Sequence, residues 1–215
     1  AFIHNLGVAK KLTGTKVMAV VKGNAHGHGA VKASLALEAH GADAFAVACM
    51  SEAIELREAG IQAPILVLGW TPAECARQLA DYGIAQSVMD EDYALELNEA
   101  AAAAGKVVDI HAKLDTGMSR TGIFAQENPA EAAQIVSRIA NLPNLNIKGI
   151  FTHYAAADMP EKDDFTAWQL SNYKAVLRAL ETLGFDKPVV HHTGNSACIL
   201  NHPETYFDMV RMGVM

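Results

Sequence analysis

The chain has 215 residues, 51% of them apolar and 19% charged, and a net charge of −7. That length supports one sizeable hydrophobic core but not two full domains, and the composition excludes a disordered or fibrous chain. A negative balance without a basic face excludes nucleic acid as the expected partner, so a small anionic ligand would have to be held by a few placed donors.

The opening AFIHNLGVAKKL reads as a helix already under way, with Phe2, Leu6 and Ala9 near helical spacing and Gly14 at its end. Short apolar runs then alternate with helix-like segments. The runs fall at residues 17–22, 44–49, 64–69, 85–89, 107–114, 147–153, 188–192 and 208–214, and read as strands. Thr71-Pro72-Ala73-Glu74 and Asn128-Pro129-Ala130-Glu131 each offer a capping side chain, a proline in the first turn and a glutamate reaching back. Gly41, Gly60, Gly83, Gly105 and Gly184 stand where helices should stop. The longest helix, over 164–184, lines up Phe165, Trp168, Tyr173, Val176, Leu177 and Leu180 in one stripe. The last residues, MVRMGVM, stop inside a strand, which leads us to expect a piece of a longer protein.

Eight strands, most followed by a helix, predict an α/β fold: a (β/α)₈ barrel of the TIM type spanning residues 1–215, with a doubly wound open sheet as the alternative. The count of eight favours the barrel. So does the recurrence of reactive residues at strand C-terminal ends, where barrel active sites form. No run approaches the roughly 18 apolar residues of a membrane helix, and no signal peptide opens the chain, so no membrane contact is expected from this segment. Cys49, Cys75 and Cys198 lack metal-ligand spacing and read as reduced thiols of a cytoplasmic protein, with no metal.

The stretch VMAVVKGNAHGHG ends its first strand on Lys22. Such a lysine is either a rim residue that snorkels to water or an amine stripped of solvent, with a lowered pKa and nucleophilic character. Gly23, Gly27 and Gly29 favour the second reading, because they let backbone approach a ligand closely. In VVDIHAKLDTGMSRTG, alternation puts Asp109, His111, Lys113 and Asp115 on one side of the strand and Ile110, Ala112 and Leu114 on the other. Charged groups on a barrel's inner face must be paired or functional. Arg120 follows in a loop bounded by Gly117 and Gly122 and reads as either a solvated side chain or an anion contact. His153, at the tip of IFTHYAAAD, reads as either a hydrogen-bonded core residue or a site residue. Gly194-Asn195-Ser196 is a tight turn that opens a short helix and could seat a phosphate, while Arg211 and Gly213 close the last strand. A lysine nucleophile, an anion cradle and surrounding cations are what a cofactor with both an aldehyde and a phosphate requires.

VMAVVKGNAHGHG resembles the pyridoxal-phosphate lysine signature of the alanine racemases, usually A-V-V-K-A-N-A-Y-G-H-G. HAKLDTGMSRTGI, FTHYAAAD, HTGNSA and DMVRMGVM resemble later blocks of that family in the same order. The resemblance implies a pyridoxal 5'-phosphate-dependent racemase acting on a small amino acid of the L-/D-alanine type, supplying D-amino acids for peptidoglycan. It implies that Lys22 bonds to the cofactor and serves as one of two catalytic bases. Arg120 then lies near the phenolic oxygen and orients the substrate carboxylate, and Lys113 matches a lysine that is carbamylated in many members. Arg211 matches the arginine at the pyridine nitrogen, with His153 supporting it. Asn195, Ser196, Gly213 and Val214 match phosphate and ring contacts.

Two departures follow. His26 stands where the family has a tyrosine that contacts the phosphate. The family's C-terminal β domain, which supplies a tyrosine base across a homodimer interface, is not matched, so this stretch alone is expected to bind the cofactor but racemise poorly. A single-domain pyridoxal-phosphate carrier of cofactor homeostasis is the alternative reading. A decarboxylase barrel, which would need a glycine-rich phosphate loop and a cysteine from a second domain, is a third.

Overall fold

The computed structural model describes residues 1–213; Val214, expected at the cofactor, lies outside the described residues. Nine strands form: β1 Lys16–Val20, β2 Ala44–Val47, β3 Ile65–Val67, β4 Ile84–Val88, β5 Val108–Asp115, β6 Ile123–Phe124, β7 Leu145–Phe151, β8 Val190–His192 and β9 Met209–Met212. Eight of them make one parallel sheet in the order β8-β7-β5-β4-β3-β2-β1-β9, and β6 pairs with β5 alongside it. The first and last strands of the chain lie side by side, Val17 opposite Val210 and Met18 opposite Arg211. The remaining seam, between β8 and β9, is closed by Asp208 N–H donating to the His191 carbonyl at 3.1 Å and Arg211 N–H donating to the Gly194 carbonyl at 2.8 Å. The sheet is therefore a nearly closed barrel, and the (β/α)₈ expectation holds over the open sheet.

Strand alternation divides the core in two. Val17, Phe45, Val47, Ile65, Val67, Ile110 and Ala112 face outward into the main core beneath the helices. Met18, Ala44, Ala46, Leu66, Phe151 and Met209 form a smaller cluster inside the barrel. β2 and β3 are short and apolar on both faces because they are covered on both, whereas β5 puts His111 and Lys113 inside. Gly14 and Gly105 end their helices in the left-handed conformation, at φ 64° in both cases, as a residue without Cβ allows. Tyr173, Val176 and Leu180 of the long helix Asp163–Thr182 are buried, while Trp168 at its start is 40% exposed.

Three local expectations are corrected. The strand around residues 17–22 ends at Val20, so Lys22 opens the following turn and is not on the strand. Asn128 caps its helix as expected, accepting from Glu131 N–H at 3.2 Å, but Thr71 does not cap. Pro72 is held extended at ψ 137° and occupies the cap position itself, which leaves the Thr71 hydroxyl one residue too early and buried without a partner. The two-residue β6 was not expected, because it carries too little pattern to read.

Candidate active site

At the C-terminal mouth of the barrel the strand ends open into a cleft of about 930 Å³. Nine of the ten residues expected there line it: Lys22 and His26 after β1, Lys113 on β5, Arg120 in the loop that follows, His153 after β7, Asn195 and Ser196 after β8, and Arg211 and Gly213 at β9. The tenth is Val214. A chain of net charge −7 thus gathers Lys22, Lys113, Arg120 and Arg211 around one space, and Asp158 is the one acid among the described residues lining it.

Lys22 reaches the cleft on an unusual turn. Gly23, Asn24, Ala25 and His26 all lie in the left-handed region, with φ between 51° and 62°. For the three that are not glycine this conformation costs roughly 1–2 kcal/mol each, so neighbouring structure must enforce it. Ala25 is buried in the core and donates its N–H to the Val21 carbonyl at 2.7 Å. Asn24 Oδ1 accepts from Ala30 N–H at 2.7 Å, and Glu52 accepts from Gly23 N–H at 2.7 Å. Contrary to the expectation of a desolvated amine, Lys22 is exposed; the buried lysine is Lys113.

Lys113 donates to the Thr121 hydroxyl. Burial, then the charges of Arg120 and Arg211, lower its pKa to about 8 against the opposing pull of Asp115. A minority of its amine is therefore neutral near physiological pH, far more than for an ordinary lysine. The loop after β5 is folded back by Asp115, whose carboxylate accepts from the N–H groups of Gly117 at 3.1 Å and Ser119 at 2.9 Å. Gly122, at φ 131°, packs so closely that a Cβ there would lie 2.8 Å from Asp115 N and 3.0 Å from the Lys113 carbonyl. Arg120 projects from this loop and is exposed to the cleft.

Arg211 is buried, and every partner described for its guanidinium is neutral. One terminal nitrogen donates to the His192 carbonyl and, at 3.2 Å, to His192 Nδ1. The other donates to the carbonyls of Thr152 at 2.7 Å and Thr193 at 3.1 Å and to His153 Nδ1 at 3.3 Å. Burial lowers the Arg211 pKa to about 10, which still leaves it charged at neutral pH. A guanidinium only donates, so it fixes both histidines with an unprotonated Nδ1 and the proton on Nε2. Nε2–H of His192 then donates to His111 Nδ1 at 2.8 Å. Burial first and the Arg211 charge second hold the pKa of His153 at about 3 and of His111 at about 4, and His192 is also pushed down, so all three are neutral. Gly149 makes room for this chain, since a Cβ there would run into the His111 ring.

Sequence reasoning placed His111 on the inner face but missed its partnership with His192, and it missed Glu52 and the apolar wall of Trp70, Met118 and Leu200. Asn195 spends its carbonyl oxygen capping Cys198 N–H at 3.1 Å. Ser196 Oγ accepts from Gly213 N–H at 2.9 Å, which leaves the hydroxyl proton free for a ligand.

A profile of the family described as "Alanine racemase, N-terminal domain" matches residues 1–215. The chain belongs to the alanine racemase family. It is 40% identical over 217 residues to an alanine racemase of Methanococcus maripaludis, covering 100% of this chain and 57% of that relative. Among solved structures it superposes on alanine racemase of Clostridium difficile 630 in complex with cycloserine with a TM-score of 0.92 and 36% identity, covering 99% of this chain and 58% of that one. Alanine racemase of Bacillus anthracis with bound L-Ala-P gives a TM-score of 0.89 at 31% identity, covering 99% of this chain and 54% of that one. The chain spans about half the length of the relatives it matches. Those relatives are racemases, which favours the racemase reading over a single-domain cofactor carrier. No helix among the described residues is long and apolar enough to cross a membrane.

Proposed function

We propose that this chain is the cofactor-binding barrel of a pyridoxal 5'-phosphate-dependent amino-acid racemase that interconverts L- and D-alanine, in a cytoplasmic homodimer supplying D-alanine for peptidoglycan. The observation that carries the reading is the cation-lined cleft with one exposed amine, Lys22, at its rim. The donor set fits the cofactor: a hydroxyl with a free proton at Ser196, an acid-poor cluster of cations for an anionic group, and a buried guanidinium for an electron-rich nitrogen. When bound, the cofactor supplies an aldehyde that condenses with an amine, releasing water, and a ring that acidifies the substrate Cα–H.

Racemisation needs a proton removed from one face of Cα and returned on the other. Lys22 would hold the cofactor through its amine and would take or return the proton on one face of Cα. Arg120 positions the substrate carboxylate. Arg211 keeps its own proton, its pKa of about 10 being still well above neutrality, and would donate to a ring nitrogen without protonating it. Neutral His153 presents its protonated Nε2 beside it. Lys113, partly neutral, is suited to take up CO₂ by losing a proton from nitrogen, and the resulting carbamate would hold Arg120 in place.

Incubation with pyridoxal phosphate, borohydride reduction and peptide mapping test the reading. Selective modification of Lys22 is expected. Modification scattered over surface lysines, or none, would overturn it.

A further inference from the structure

We propose that Glu52 is a positioning residue for Lys22, delivering its amine to the cleft; the proposal rests on Lys22 being the cofactor lysine. Where β1 leaves the sheet, main-chain pairing with β2 gives way to a side chain. Val21 N–H still donates to the Ala46 carbonyl at 2.9 Å. Two residues on, Gly23 N–H donates instead to Glu52 Oε1 at 2.7 Å. The other carboxylate oxygen, Oε2, accepts from Ala48 N–H, just past the end of β2, also at 2.7 Å. One carboxylate therefore ties the peptide that follows Lys22 to the end of the neighbouring strand.

The acceptor is itself fixed. Glu52 lies in the first turn of the helix Met50–Glu58, whose Ala53 and Leu56 are buried in the main core. Hydrogen bonds to a carboxylate are shorter and stronger than neutral ones. They act here on the first residue of a turn in which Asn24, Ala25 and His26 all hold φ above 50°. Without the clamp, the turn can relax toward ordinary φ, and Lys22 moves with it because it is the residue that enters the turn. A displacement of about 1 Å at a reacting group lowers rate by on the order of 10²-fold.

Glu52 also occupies the place from which a glutamate reaches back to cap its own helix. Capping alone would affect melting but not the reactivity of Lys22, which makes the two roles separable. The test uses the chain as it stands, with Glu52→Ala and Glu52→Gln variants, and pyridoxal phosphate as the probe. Borohydride reduction at timed intervals, followed by peptide mapping, gives the capture rate at Lys22 relative to an exposed lysine such as Lys11. The visible absorbance of the adduct gives a second readout. Glu52→Ala should slow capture at Lys22 by on the order of tenfold or more relative to Lys11. Glu52→Gln, which keeps one acceptor oxygen and the helix, should slow it less, and it decides the matter if the alanine variant does not fold. An unchanged Lys22-to-Lys11 ratio in a folded variant, even with a lowered Tm, would overturn the proposal. Failure of the unsubstituted chain to favour Lys22 would overturn the cofactor reading beneath it.

Discussion

Acidification from pH 7 to pH 5 should destabilise the barrel before most of its carboxylates titrate. His111 is buried and His153 half-buried, with pKa values held near 4 and near 3, burial being the larger cause and the Arg211 charge the next. In the unfolded chain each returns to about 6.5. Below that value the unfolded state takes up a proton that the folded state refuses, so stability is fully present above about pH 6.5 and is lost as pH falls toward the folded values. At pH 5 about 1.5 units of this window have been crossed, which is roughly 2 kcal/mol per histidine and about 4 kcal/mol for the two. For a chain of this size about 1 kcal/mol moves Tm by roughly 2–4 °C, so Tm should fall by roughly 8–16 °C. The shift of His192 has the same sign and deepens the fall. Thermal melts by circular dichroism at half-unit steps of pH measure it. In His111→Asn one titrating group is gone, and the fall should shrink by roughly 4–8 °C whatever its Tm at pH 7. A flat Tm from pH 7 to 5, or an unchanged fall in His111→Asn, would refute the reasoning.

Other outcomes follow from the same geometry. Lys22→Ala should abolish selective capture of pyridoxal phosphate yet shift stability by no more than about 0.5 kcal/mol, because the side chain is exposed; mapping and melting measure the two separately. Gly122→Ala should destabilise by about 2 kcal/mol or more, since its Cβ meets backbone atoms that cannot swing aside and its φ is 131°; chemical denaturation reads this directly. Asp115→Ala leaves the buried N–H of Gly117 and the half-buried N–H of Ser119 without their acceptor, a loss of about 1–3 kcal/mol. In the racemase proposed above it should raise KM for the amino acid more than it lowers kcat, because the loop carries Arg120. Steady-state kinetics with unchanged KM would contradict that role.

Much of this was legible in advance because barrel strands announce themselves. Most are short apolar runs, and the glycines after the helices take positive φ as their positions suggested. The residues that line the cleft were legible for the same reason: strand C-terminal ends converge in a barrel, so Lys113, Arg211 and the turn at Asn195 had to meet. What escaped depends on distance along the chain or on main-chain geometry without side-chain pattern. His111 and His192 are 81 residues apart, and nothing local to either names the other. The left-handed turn after Lys22 includes three residues that are not glycine, so composition does not reveal it. The inner-face placement of Lys113 holds, but the exposure of Lys22 escaped because apolar neighbours in sequence say little about how far a side chain reaches past the strand end.

The pairing of β1 with β9 has a consequence during synthesis. Val17, Met18 and Ala19 emerge from the ribosome about 190 residues ahead of the strand that covers their free edge. At about 5–20 residues per second, that edge waits roughly 10–40 s for its partner. Throughout that interval it is an open, apolar strand able to recruit another nascent chain. Arg211 sits on the strand that ends the wait, so the residue that organises the histidines arrives in the same event that seals the barrel. Exposure of that strand edge and the incompleteness of the cleft therefore end together.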